Sequence, residues 1–567
     1  MMLPGIPRAS NPKTGVQIAF GGLNRNPGAR DGAIYDMQNM VNDLYPVLSS
    51  RPGRWLIRRG EPHSKVGFGE WGELIWVVDG DFYYGGELKG HFNYWAQYNT
   101  TRFVGIGNYI YIYPHNVVYN ITTDELKPVV VVAKAQYSGD DYFAISVRFE
   151  DGTLNGEPAA GNSLVVNADF TINFADFFKP GDAIYIENGP EANNGAHIIR
   201  EIDGRTLRFN ENTFTTTTTE SYVTISRKAP TFAYMCEKGN RLWGVSNEDN
   251  TIYACKLGDP FNWYVYDGLA SDSYAVAVGS KGDFTGCISY LGYPMFFKED
   301  HIYKMFGSKP SNFELQDHMT LGVMVGNGQS LAIAGETLFY NSRKGIMAYT
   351  GSAPRSVQEP LGDNIGSERF PVVAGSDGLK YYAYSYTGGV RHNIYVYDTQ
   401  RGMWHCEDSD VTRENTNIIG FAMHGGRLHF ADMEAEIWCI SDDEPDDAIS
   451  DEETAKTSES QSYVEFADFY HYTSTNNAGM NRKYVTRLLL RVECENAITV
   501  KIMYDSSGTW QNAATIPAMT KNSRVCSVPI MRCDHYRIRL EGSGEWKLFS
   551  ISEDYVTGSG SNATVTV

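Results

Sequence analysis

The sequence predicts an all-β protein: a β-propeller of six or seven blades, a small β-barrel inserted into it, and a C-terminal β-sandwich. The first observation is a hairpin pattern that recurs roughly every 40–50 residues. Each copy has a glycine, an apolar or aromatic strand, a turn rich in Asp, Asn or Gly, and a second aromatic strand. Two further observations are a break in this pattern mid-chain and a different strand pattern after an acidic run. The hairpins occupy residues 72–86, 107–121, 239–255, 291–307, 335–351, 379–398 and 425–440.

Composition limits the function classes. The 567 residues suffice for three or four domains, at roughly 150 residues per domain. The net charge of -20 argues against a protein that grips nucleic acid through its phosphates, because that requires a basic surface. It does not exclude a protein that lets DNA slide past. No apolar run is long enough to span a membrane, and the first residues lack the apolar core of a signal peptide, so we expect no membrane anchor.

Residues 1–59 are predicted to form an N-terminal arm punctuated by Pro, Gly and Arg. Within it, a short helix is predicted over residues 31–41, because Ile34, Met37 and Met40 recur at helical spacing behind Asp31 as a plausible N-cap. We expect this helix to pack on the propeller rather than to reach a partner.

The propeller is predicted to be discontinuous, formed by residues 60–131 and 229–441. Between them, residues 132–228 change to apolar strands joined by Asp-Gly turns, with a Pro-Gly-Asp lead-in. This pattern is typical of a small β-barrel. Inserted domains usually start from an exposed loop tip, so the barrel is predicted to be separable.

The chain changes character again after residue 441. Eight of the twelve residues 442–453 are acidic, a density of like charge that resists compaction. Residues 442–462 are therefore predicted to be an acidic linker; calcium binding is the alternative, although the EF-hand spacing is absent. Residues 463–556 alternate as strands of a β-sandwich, and residues 557–567 are predicted to be a flexible tail.

The search for a catalytic site yields no motif. The sequence has no nucleophile elbow, no HExxH and no phosphate-binding loop, so we predict no catalytic residue, no cofactor and no metal. A propeller glycosidase would need paired carboxylates, but the acids considered lie in hairpin turns, where they favour local hydrogen bonds. These acids are Asp79, Asp81, Glu299 and Asp300.

The cysteines and histidines likewise do not indicate a catalytic or metal site. His405 and Cys406 are adjacent, so strand alternation places them on opposite faces and argues against a nucleophile pair. The eight cysteines form no CxxC motif and no zinc-like spacing, so we interpret them as small buried hydrophobic residues. Such usage suits a reducing compartment and predicts assembly inside a cell.

Three stretches resemble virion proteins of tailed phages and prophages: residues 20–54, residues 335–363, and residues 483–511 with 532–555. The layout also resembles the tail nozzle, or tail hub, proteins of short-tailed bacteriophages, which combine a β-propeller with extra β-domains. That family carries no catalytic motif.

The resemblance implies a structural virion protein, assembled in the bacterial cytoplasm, that forms a six-fold ring below the portal and adaptor proteins. It implies contact with tail fibre or tailspike proteins and a channel through which double-stranded DNA passes without sequence-specific binding. A host-receptor or glycan-binding protein is the first alternative, and a propeller glycosidase the second.

Residues 45–55 are the first choice for an assembly interface. They contain Arg51, Arg54 and Trp55, and Arg and Trp are enriched at interface anchors. The competing interpretation is that this segment merely closes the propeller.

Overall fold

The computed structural model contains two compact units, residues 1–63 with 329–567 and residues 64–328. It is all-β, and the helical elements among the residues it describes are short 3-10 turns. These turns are Phe174–Asp176, Glu191–Asn193, Pro310–Asn312, Gly328–Ser330 and Glu359–Leu361. The described residues are 12–26, 29, 33–60, 65–93, 101–151, 153–154, 157–158, 162–210, 214–217, 219–362, 365–367, 371–387, 391–408, 417–449, 461–471 and 482–557.

The N-terminal region forms strands that pair with partners far along the chain. β1 pairs with the last strand of the sandwich, as β4 does, and β5 joins the final blade. The described residues between 12 and 60 therefore belong to these sheets and do not form the predicted N-terminal arm. The strands are β1 (Lys13–Gln17), β2 (Ile34–Gln38), β3 (Met40–Val41), β4 (Leu48–Ser50) and β5 (Gly53–Arg58).

The predicted helix over residues 31–41 is wrong, because the described part of this segment forms strands β2 and β3. The helical spacing has a different cause. A β-bulge shifts the pairing of β2 between Ile34 and Asp36, so Ile34 and Met37 both face the core despite lying three residues apart. Asn39, at φ 58°, then separates β2 from β3. Asp31 lies outside the described residues.

The unit of residues 64–328 contains four blades, each a four-stranded antiparallel sheet. Their first strands contact one another in sequence order, β6 with β10, β10 with β25 and β25 with β29. The first two blades comprise β6 (Val66–Trp71), β7 (Glu73–Val78), β8 (Asp81–Tyr84), β9 (Glu87–His91), β10 (Arg102–Ile106), β11 (Tyr109–Tyr113), β12 (Val117–Asn120) and β13 (Glu125–Pro128). The next two comprise β25 (Tyr234–Glu237), β26 (Leu242–Ser246), β27 (Thr251–Ala254), β28 (Tyr274–Ala277), β29 (Gly286–Tyr290), β30 (Tyr293–Phe297), β31 (His301–Phe306) and β32 (Glu314–Met319).

Between the second and third of these blades lies the inserted barrel. Its sheet runs β17-β20-β23-β22-β21-β24 and closes because β24 pairs back to β17. Phenylalanine and branched aliphatic side chains fill the interior. The strands of the insert are β14 (Val131–Val132), β15 (Ala135–Tyr137), β16 (Asp140–Tyr142), β17 (Ile145–Glu150), β18 (Thr153–Leu154), β19 (Glu157–Pro158), β20 (Ser163–Val166), β21 (Ala183–Glu187), β22 (Gly195–Asp203), β23 (Thr206–Phe209) and β24 (Ser221–Arg227).

The other unit contains three further blade-like groups of four strands among its described residues. In the last group, β5 supplies the fourth strand by pairing with β43. The strands are β33 (Ala332–Ala334), β34 (Thr337–Ser342), β35 (Gly345–Tyr349), β36 (Arg355–Ser356), β37 (Val373–Ser376), β38 (Lys380–Thr387), β39 (Arg391–Asp398), β40 (Met403–Asp408), β41 (Ile418–His424), β42 (Arg427–Asp432) and β43 (Ile437–Ser441).

The C-terminal sandwich belongs to the same unit. One sheet has the order β2-β44-β50-β46-β47, and the other contains β4-β51-β45-β48. The strands are β44 (Gln461–Phe466), β45 (Lys483–Cys494), β46 (Ile498–Tyr504), β47 (Gln511–Ile516), β48 (Met519–Cys526), β49 (Arg532–Cys533), β50 (Tyr536–Ser543) and β51 (Trp546–Thr557). Residues 450–460 of the predicted linker and 558–567 of the predicted tail lie outside the described residues.

Candidate functional sites

Residues 45–55 belong to the fold of the unit that comprises residues 1–63 and 329–567. Arg54 is 1% exposed and Arg51 is 8% exposed. The Arg54 Nη2 atom lies 3.1 Å from Glu407 Oε2, and Trp55 Nε1 donates to the carbonyl of Ser441 at 3.1 Å. These contacts, with the pairing of β5 to β43, favour the interpretation that the segment belongs to the fold, where it supplies a strand of the last blade.

The environment of Glu407 explains why this buried charge is tolerated. Burial by itself would raise the pKa of Glu407, but the neighbouring His405 side chain and the charge of Arg54 outweigh it and lower the pKa to about 2. His405 Nε2 lies 3.3 Å from Glu407 Oε1. Cys406 instead joins the apolar core with Trp404. The alternation along β40 thus separates His405 from Cys406, as predicted.

The turn acids have local partners. Asp79 Oδ1 accepts from the backbone N–H of Lys65 at 2.9 Å, and Asp81 Oδ1 lies 2.8 Å from His91 Nδ1. Glu299 Oε1 accepts from the backbone N–H of Val325 at 3.3 Å. These bonds fit the structural role that turn acids ordinarily have.

A mixed cluster at one end of the sandwich was not foreseen from the sequence. Asp505, Asp534 and His535 each place one potential metal-ligating atom within 4.8 Å of the others. The Asp534 backbone N–H donates to Asp505 Oδ1 at 2.8 Å, and Ser506 Oγ lies 2.7 Å from His535 Nε2. These bonds join the turn after β46 to the start of β50, which gives the cluster a structural role in the sandwich.

A surface groove was also missed by sequence reasoning. It lies in the unit of residues 64–328, beside the loop that joins β27 to β28, and encloses about 520 Å³. Tyr266, Leu269, Tyr274 and Lys309 line it and Asp272 contributes to its wall; we name it the Tyr266 groove. Tyr266 is 54% exposed and Leu269 is 59% exposed. The signal in the sequence was the density of aromatic and Asp residues in this long connection.

A buried arginine holds the groove loop in place. Arg241, 2% exposed, donates from Nη1 to the carbonyl of Cys255 at 2.8 Å and from Nη2 to the carbonyl of Ala270 at 2.7 Å. Asp272 Oδ2 accepts from the Leu269 backbone N–H at 2.9 Å. Within the part of the chain that the structure describes, Asp272 Oδ1 has no hydrogen-bond donor. Asp272 itself is only 3% exposed, so the features that the groove presents to solvent are the side chains of Tyr266 and Leu269.

None of the helical elements in the described ranges is long and apolar enough to cross a membrane.

No protein-family model and no curated protein sequence matches the chain. Among solved structures, it is similar to BamB from Moraxella catarrhalis, with 9% identity, coverage of 75% of this chain and 97% of that chain, and a TM-score of 0.29. It is also similar to YCF48 bound to D1 peptide, with 12% identity, coverage of 60% of this chain and 92% of that chain, and a TM-score of 0.26. A third similarity is to a chitosan-binding module from Paenibacillus sp. IK-5, with 14% identity, 17% and 68% coverage, and a TM-score of 0.13. These distant similarities carry no argument about function.

Proposed function

We propose that the chain is a structural component of a bacteriophage tail: a ring-forming nozzle or hub, below the portal and adaptor, whose ring surrounds the path of genome ejection. The observation that carries this proposal is one hydrogen-bonded sheet of eleven strands. It runs from a propeller blade into the sandwich, in the order β37-β38-β39-β40-β3-β4-β51-β45-β48, with β1 and β49 attached.

Two short N-terminal strands make the connection. Met40 of β3 pairs with Cys406 of the blade on one side and with Ser50 of β4 on the other. Leu48 of β4 then pairs with Leu548 of the sandwich. Because backbone hydrogen bonds continue from strand to strand, the blade and the sandwich are joined through one continuous sheet.

The apolar core also continues from the blades through the connecting strands into the sandwich. One buried cluster includes Phe339 and Trp404 from the blades, Leu48 from the connecting strands, and Leu490 and Leu540 from the sandwich. Relative motion of the two domains would break this packing, and close-packed interiors resist such displacement. A rigid body of this kind is suited to the wall of a conduit that carries DNA under force.

Charge supports the same role. A ring of six copies would multiply the formal charge of -20 per chain. Wherever acidic side chains face the axis, such a ring repels the phosphates of passing DNA, so the DNA would move without being held.

The exposed start of residues 45–55 provides a test of ring assembly. Tyr45 is 43% exposed and the preceding Leu44 is 52% exposed, whereas Arg51 and Arg54 are buried. We expect Tyr45→Glu to abolish ring formation, measured by mass photometry of the full-length protein, while the melting temperature of the monomer changes little. Leu379→Glu, at another apolar side chain that is 52% exposed, serves as the matched control.

The interface role of this surface is contradicted if the Tyr45→Glu protein forms the same rings as the wild type. A wild-type protein that remains monomeric with the portal and adaptor proteins present would contradict the ring itself.

The Tyr266 groove favours glycan binding as a second candidate. Tyr266 is 54% exposed, and an exposed tyrosine face can stack on a sugar ring while its hydroxyl group forms a hydrogen bond. Binding of the full-length protein to an array of bacterial surface oligosaccharides tests this function. Tyr266→Ala should remove binding, whereas Tyr222→Ala, at a tyrosine on the barrel that is 61% exposed, should not. Absence of binding by the wild type, or equal binding by both variants, argues against the groove.

A further inference from the structure

Two cysteines of neighbouring blades face each other in the unit of residues 64–328. Cys236 lies on β25 and Cys287 on β29, and their Sγ atoms are 3.0 Å apart. This separation is shorter than the ~3.5–4.0 Å of an ordinary van der Waals contact between two carbon atoms. An S–S bond requires a further approach of only about 1 Å. The positions of the two side chains therefore already bring the sulfur atoms together.

We propose that Cys236 and Cys287 are a reversible cross-linking site, whose thiols form a disulfide between the two blades when the protein enters an oxidising environment. This inference is independent of ring formation. It also revises the interpretation of all eight cysteines as small buried hydrophobic residues. Other cysteines, such as Cys406 and Cys526, are buried in the apolar core of the other unit. The sulfur atoms of Cys236 and Cys287, in contrast, are close enough to form a disulfide.

The surroundings favour a bond between these two residues over a bond to an external thiol. Cys236 is 7% exposed and packs in a cluster with Trp243 and Phe296. Cys287 is partly exposed at the edge of the same cluster. Cys287 is the more exposed of the two residues, so we expect a small oxidant to react with it first. The Cys236 sulfur then displaces the half of the oxidant that is bound to Cys287.

The reaction balances with a low-molecular-weight disulfide as the oxidant. The Cys287 thiolate attacks one oxidant sulfur, the oxidant S–S bond breaks, and one small thiolate leaves. The Cys236 thiolate then attacks the Cys287 sulfur of the mixed disulfide, and the second small thiolate leaves. Two protein thiols are oxidised, one external disulfide is reduced to two thiols, and the two protons from the cysteines pass to the leaving thiolates.

The site should react slowly at neutral pH and faster in alkali. Burial and the contact with Cys236 raise the pKa of Cys287, so the thiolate that attacks is scarce. Once formed, the disulfide closes the chain between residues 236 and 287 and restricts the unfolded state. We expect the melting temperature of this unit to rise by about 5 °C.

Thiol counting and peptide mapping test the proposal. Full-length protein is incubated with oxidised glutathione at alkaline pH, and free thiols are counted after denaturation. We expect the loss of two thiols, a mass decrease of about 2 Da from two hydrogens, and a reducible link between the peptides that contain Cys236 and Cys287. The control variant Cys439→Ser should form the same link.

Three results would overturn the proposal. One is a full complement of free thiols in the wild type after prolonged oxidation. Another is a stable glutathione adduct on Cys287 with Cys236 left reduced. The third is an unchanged loss of two thiols in Cys287→Ser, because the oxidised cysteines would then lie elsewhere. Mapping the wild-type protein does not depend on whether any variant folds.

Discussion

Arg54 shows how a residue type typical of interfaces can instead belong to the interior. Its side chain faces the same way as Leu56, two residues further along β5, and both are buried. Strand alternation from Leu56 was therefore the available signal that Arg54 points inward. Its partner Glu407 lies 353 residues away, and no local pattern could identify that pairing. The exposed apolar side chains of Leu44 and Tyr45 were the feature of this segment that sequence reasoning passed over.

Replacing Arg54 with glutamate should destabilise the fold rather than only block assembly. Arg54→Glu would place a second carboxylate beside Glu407 in a dry site, and breaking a buried pair costs roughly 3–5 kcal/mol. Urea denaturation of the full-length protein measures this loss. Arg59→Glu, at an exposed arginine just after β5, should change the free energy of unfolding by about 0.5 kcal/mol or less. Equal stability of Arg54→Glu and the wild type would show that the pair does not stabilise the fold.

The same pair predicts a dependence of stability on acid. The pKa of Glu407 is about 2 in the folded chain and about 4.3 in an unfolded one. Its contribution is therefore complete above pH ~4.3 and is lost as the pH falls towards 2. The slope of unfolding free energy against pH should be smaller in Glu407→Gln than in the wild type over that window. Parallel slopes would mean that Glu407 is not held ionised by its neighbours.

At the scale of elements, the blades were predictable and the N-terminal strands were not. Most blade strands pair with the next strand along the chain, so short apolar runs and their Asp, Asn or Gly turns carry the information. Strand β2 pairs instead with β44, Ile34 opposite Phe466, and its bulge imitates helical spacing. The connection from a blade to the sandwich likewise depends on pairings between distant segments.

The inserted barrel gives a prediction at this scale. Val131 and Arg227 are opposite each other in an antiparallel pair, so a short Gly/Ser linker can replace residues 132–228. Arg227 and Asp182, which form a buried ion pair at 2.8 Å, both lie within the deleted residues. The deletion therefore leaves neither charge buried without its partner. We expect the shortened protein to melt cooperatively in calorimetry. Loss of any cooperative transition would show that the propeller needs the barrel in order to fold.

At the scale of the whole molecule, the eleven-stranded sheet joins a blade to the sandwich within the unit of residues 1–63 and 329–567, and the proposed function rests on this connection. The sequence predicted a propeller and a sandwich as separate domains, with an acidic linker between them. It did not predict the hydrogen-bonded route through β3 and β4, because these strands are two and three residues long and have no periodicity of their own. Cys406 and Ser50, which pair with Met40 on either side, come to lie beside it only in the complete fold.

Interrupting this route should uncouple the sandwich from the blade. Met40→Pro removes a backbone N–H and a buried side chain from β3, whereas the control Met40→Leu nearly conserves volume. Hydrogen exchange of peptides from β39 and β45 reports the opening free energy of each domain. We expect the two values to agree in the wild type and in Met40→Leu and to separate in Met40→Pro. Equal values in all three proteins would show that β3 does not couple them.

The most direct test of the proposed function is electron microscopy of phage particles in which this chain carries a compact label. A tail nozzle or hub predicts six labels in a closed ring below the portal and adaptor, with the DNA path on the ring axis. Labels at the tips of tail fibres, labels in three-fold clusters away from the axis, or unlabelled particles would contradict it.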